Sequence, residues 1–185
     1  MKKLTLFLVI ASLGACNWNG NGTYSQEISE IDKMLVQLDS MRSLYQSVDQ
    51  VKVSRELRQI DSLHEILTGP GADLEDRNYV FGVVEGIEYV KEPYEKFYRD
   101  GSQIEEDLEY CESQLKALRL DLENEQLDSL KAREYFFAES KAFNDVVLLH
   151  YKRVRPMDKA MAIWDTAAAR YLQIASKIDS LAQEQ

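Results

Sequence analysis

Histidine is scarce in this 185-residue chain, with two in all, His64 and His150. That count alone excludes a histidine-rich metal centre. There is neither a Glu-x-x-His pair of the di-iron bundle type nor a His-Glu-x-x-His zinc helix. A glycine-rich phosphate loop and the Gly-x-Ser-x-Gly elbow of the serine hydrolases are also missing, and with them the common signatures of nucleotide binding and acyl transfer. No stretch alternates apolar and polar residues over a strand length, which argues against a sheet. The apolar run from Leu4 to Leu13 holds ten residues and is too short to span a bilayer as a helix. We therefore assign no catalytic residue, no cofactor and no metal ligand. Both histidines fall on apolar helical seams and read as hydrogen-bonded core residues.

What is present begins at the N-terminus. Lys2 and Lys3 precede the Leu4–Leu13 run, which gives the charged and apolar regions of a signal peptide over residues 1–15. Leu13-Gly14-Ala15-Cys16 follows and resembles the lipobox of bacterial lipoproteins, in which the chain is cut before the cysteine and that residue carries the acyl chains. The resemblance makes Cys16 the first mature residue and a lipid anchor, with several acyl chains such as palmitate holding it far more firmly than one would. Asn17 to Thr23 is polar and glycine-punctuated and reads as a tether. Acidic residues directly after the cysteine, common in surface-exported lipoproteins of the Bacteroidota, are missing. This points to the cell envelope, at the outer membrane and facing the periplasm. A lipid-linked Cys16 would leave Cys111 as the only thiol, and an internal disulfide would then be impossible.

The chain carries 22 basic and 32 acidic residues. Loss of residues 1–15 removes two lysines and no acid, so the mature charge is −12. A surface this acidic opposes nucleic acid and anionic headgroups, and favours a protein partner with a basic patch.

The remainder, residues 24–185, reads as a single all-α domain of antiparallel helical hairpins forming an elongated bundle or short coiled coils. Apolar spacings of three and four predict helices over about 26–46, 49–67, 73–99, 102–124, 128–154 and 157–183. Ser47 and Gln50 have the form of a capping box and predict a turn between two antiparallel helices. Thr68-Gly69-Pro70-Gly71 ends the second helix. Pro93 should kink or split the third, and Asp100-Gly101-Ser102 should close it, with Ser102 and Glu105 capping the next. Tyr79, Tyr89, Tyr94 and Tyr98 make the third segment the aromatic one and are the candidate ligand or partner surface. Lys152, Arg153, Arg155 and Lys159 form a basic cluster suited to a helix C-terminus. At Cys111-Glu-Ser-Gln-Leu115, Leu118 and Asp121-Leu-Glu-Asn124 the chain resembles small uncharacterised helical lipoproteins of the Bacteroidota, a likeness that implies architecture and location but no activity. The expected function is a membrane-anchored, non-catalytic interaction or scaffold module. The alternative is a bundle that binds a small apolar ligand, under Pro93 and the tyrosines.

Overall fold

The structure is a computed structural model that describes residues 23–69 and 77–183; the expected signal peptide, Cys16 and nearly all of the expected tether lie outside the described residues. It is all-α. Among the described residues five helices follow in order: α1 (Ser25–Ser47), α2 (Gln50–Thr68), α3 (Arg77–Glu123), α4 (Ser129–Arg153) and α5 (Arg155–Gln183). Among the described residues no helix is long and apolar enough to cross a membrane.

The fold is built around α3. Its 47 residues extend about 70 Å at 1.5 Å per residue, and it packs against all four other helices, whereas α1 and α2 do not pack side by side. α1 and then α2 run along one side of α3, α4 and then α5 along another, both pairs antiparallel to it. The result is three parallel rods: α1–α2, α3 and α4–α5. A continuous apolar seam fills the space between them, from Tyr24 and Leu122 at one tip to Leu67, Val80 and Ile178 at the other.

The seam explains why α3 does not break where its local sequence suggests. From Val80 to Leu122 the buried positions step alternately by three and four without a slip, through Tyr94, Phe97, Gly101 and Ile104. Gly101 occupies a seam position, and the side of its backbone is covered by Tyr45, whose hydroxyl would lie 3.6 Å from an added Cβ. The expected helices over 73–99 and 102–124 are therefore one helix. Asp100-Gly101-Ser102 does not end it, Ser102 caps nothing, and Pro93 lies inside it without splitting it. Burial along an unbroken stripe outweighs a glycine cost of about 1 kcal/mol and a proline cost of about 3 kcal/mol.

The junction of α1 and α2 also differs from the hairpin expected there. Val48 and Asp49 are extended, and Asp49 is the N-cap: its carboxylate accepts from the Lys52 N–H at 2.9 Å. Ser47 instead donates back to the Leu44 carbonyl. Two extended residues shift the helix phase without reversing the chain, so α2 continues in the direction of α1. α4 and α5 are joined in the same way. Val154 keeps helical torsions and donates to the His150 carbonyl, while Pro156, which lacks a donor, falls in the first turn of α5 where none is needed. The chain reverses between α3 and α4, where Glu125 adopts φ 52°. Gln126 N–H bonds to the Asp121 carbonyl and Glu125 N–H to that of Leu122, a Schellman closure of α3.

Candidate functional site

Polar chemistry is concentrated where the three rods meet. Glu56 lies on the buried face of α2, between Val53 and Ile60, and is 5 % exposed. The Tyr94 hydroxyl of α3 donates to its Oε2 at 2.7 Å. Lys52 Nζ lies 3.7 Å from its Oε1 and 3.0 Å from Asp165 of α5. Burial, and then the Glu56 carboxylate, push the Tyr94 hydroxyl well above its ordinary pKa, so it stays a donor at any physiological pH. Asp165 holds the Lys52 ammonium in its charged form. This chain of contacts ties α2, α3 and α5 together at one height. Within it the buried Tyr94 hydroxyl and Glu56 carboxylate each face a protein partner.

A second cluster marks the waist, where α1 gives way to α2 and α4 to α5. Asp100 pairs with Arg99 and across the interface with Arg153 of α4. Arg99, reinforced by Arg153, brings its carboxyl down to about 2. Gln50 donates to the Tyr45 hydroxyl at 2.7 Å, and the Tyr45 ring packs on Phe97 at 5.8 Å. Close by, buried His150 places Nε2 3.0 Å from the Met41 carbonyl, joining α4 to α1. Burial holds its imidazole below the usual range despite that bond.

Among the described residues Tyr89, Tyr94 and Tyr98 do not share one surface. Tyr94 is fully buried in the polar contact just described. Tyr89 is exposed on α3, where it receives Lys159 of α5, with Nζ 2.6 Å from the hydroxyl and 5.1 Å from the ring centroid. Tyr98 is 61 % exposed. The side chain of Tyr79 lies outside the described residues. The histidines do not converge either: His64 sits on α2, 3.5 Å from Glu88, while His150 lies on α4 at the waist. A groove of about 310 Å³ beside His64 is lined by Glu88, Lys91, Glu92 and Glu95, which makes it charged and open rather than apolar. Among the described residues no group of three or more His, Cys, Asp or Glu is placed to hold a metal ion.

Three members of the basic cluster have partners within the chain, while Lys152 is exposed. Arg153 pairs with Asp100, Arg155 stacks on the Tyr151 ring at 5.1 Å, and Lys159 is on Tyr89. Cys111 is buried in the α3 seam, and burial pushes its thiol up to about 11, so it is no nucleophile. Glu56, Lys52, Asp165 and Asp100 were not anticipated from sequence. The one available signal was Glu56, a carboxylate at seam spacing from Val53 and Ile60. Its partner Tyr94 lies 38 residues further along the chain, and Asp165, which pairs with Lys52, lies 113 residues beyond that lysine. No family model matches the chain, and no curated protein or solved structure matches it.

Proposed function

We propose that this protein is a membrane-anchored lipoprotein of the cell envelope whose helical rod is a non-catalytic interaction or scaffold module. One observation carries the reading: the buried polar contacts Tyr94–Glu56 and His150–Met41 join one rod to another, while charge is unevenly displayed outside. α3 bears twelve acidic side chains against six basic ones. Glu85, Glu105, Glu106 and Glu109 are all exposed along it. Such a surface suits a basic protein partner held on the same membrane, where confinement allows weak contacts to suffice. The anchor itself rests on the lipobox resemblance at Cys16.

Two measurements test this. Cys16→Ser should abolish labelling by radioactive palmitate and release the protein from membranes washed with carbonate; retention after the wash would refute the lipid anchor. Photo-crosslinking from Glu106 and Glu109 in intact cells should trap one discrete envelope protein, with the yield falling as salt rises. A small molecule that co-purifies with the chain and raises its thermal midpoint, with no crosslinked partner, would replace the scaffold by the ligand-binding alternative.

A further inference from the structure

The outer face of α4 carries a line of exposed apolar side chains. Leu130 is 76 % exposed, Phe137 72 % and Leu148 51 %. At 3.6 residues per turn these three and Lys141 fall within about 20° of one line along the helix, over a length of about 27 Å. Arg133 and Lys152 flank that line and are exposed, and Glu134 and Asp145 are the acids on the same side. Across α4 five basic residues stand against three acidic, the reverse of α3. The whole-chain charge, which argues against anionic headgroups, is an average that the fold separates into an acidic rod and a basic, apolar one.

The position of the chain end says what meets this face. Thr23 donates to Glu125 at 3.1 Å and the Tyr24 hydroxyl to the Leu127 carbonyl at 2.7 Å, so α1 begins beside the turn that starts α4. Residues 16–22 can reach at most about 25 Å from there, close to the length of the ridge. We infer that α4 docks lengthwise on the phospholipid surface carrying the anchor, with Leu130, Phe137 and Leu148 in the interface and Arg133, Lys141 and Lys152 at anionic headgroups. This deepens the lipoprotein reading and rests on its anchor at Cys16. Apolar side chains flanked by cations are what an interfacial helix presents to lipid, and each Lys or Arg near an anionic surface strengthens binding about fivefold. With α4 down, the acidic outer side of α3 is left for a protein partner.

The test uses the full lipidated chain in vesicles of phosphatidylethanolamine and phosphatidylglycerol. Cysteine is placed singly at Leu130, Phe137, Leu148 and, as control, at exposed Val36 of α1, and labelled with a fluorophore quenched by nitroxide on the lipid acyl chains. Strong quenching at the three α4 sites, weak quenching at Val36 and loss of the difference in phosphatidylcholine are expected. Arg133→Gln with Lys141→Gln should shift the docked population by roughly 25-fold toward the free form. Equal quenching at all four sites on a chain that floats with the vesicles would overturn the docking and leave the anchor standing. A chain that does not float with the vesicles would overturn both. Protection of the α4 sites that persists in detergent, with α4-to-α4 crosslinks, would overturn it in favour of a second copy on this face.

Discussion

Gly101 shows how a single residue is reinterpreted by its neighbours. In the local sequence it stands between Asp100 and Ser102 and looks like a helix stop; in the fold it is a buried seam position with normal helical surroundings. An alanine there would meet Tyr45 Oη at 3.6 Å, an ordinary contact. Gly101→Ala should therefore raise stability by about 0.5–1 kcal/mol in urea unfolding, because it removes backbone entropy from the unfolded chain without a clash. Gly86 differs, since an added Cβ would fall 2.5 Å from the Tyr171 hydroxyl. Gly86→Ala should gain less or lose. His150 supplies a second residue-scale test. Its folded pKa is lowered by burial, so near and just below pH 6.5 the unfolded chain binds more protons than the folded one. The stabilising contribution is fully present above that pH and is lost as pH falls through the folded value. Unfolding midpoints should drop over that window in the native chain and change less in His150→Gln, which keeps a donor for the Met41 carbonyl and removes the titration. An unchanged pH slope in the variant would show that another group is responsible.

At the scale of elements, the helical periodicity was plain but the breaks were not. The tetrapeptide Leu/Ile-Asp-Ser-Leu/Met makes the point. At 38–41 it lies inside α1, with Leu38 buried. At 127–130 its Asp128 caps α4, accepting from the N–H groups of Leu130 and Lys131. The same residues continue or start a helix depending on what the preceding backbone can bury. Apolar spacing revealed which segments are helical because it depends only on neighbours within two turns. It could not reveal that Tyr94, Glu56, Lys52 and Asp165 meet, because that contact joins three elements. Tyr94→Phe isolates it. The ring stays packed, but Glu56 loses its buried donor, and we expect a loss of about 1–3 kcal/mol in chemical denaturation. Tyr98→Phe, at an exposed position on the same helix, should be close to neutral. Equal effects at the two sites would deny Tyr94–Glu56 any part in holding the rods together.

For the whole molecule, the consequence of an unbroken α3 is shape. A rod about 70 Å long should give a radius of gyration near 20 Å by small-angle scattering of residues 16–185 bearing Cys16→Ser. A compact domain of similar size would give about 15 Å. A value near the lower figure would mean that α3 folds back at Pro93 or Gly101. The amino-acid sequence by itself determined the helical class, the positions of most buried residues and the overall acidity, since these follow from composition and from spacing within a few turns. By resemblance it also set the expectation of an anchor at Cys16. Only the tertiary structure decided that two expected helices are one, that α1 and α2 run end to end, that the tyrosines scatter, and that an acidic α3 lies beside a basic, apolar α4. The physical reason is the same for each. A glycine, a proline or a capping residue sets a local preference of about 1–3 kcal/mol, whereas a seam buried along three rods sums many contacts from distant parts of the chain, and that sum prevails.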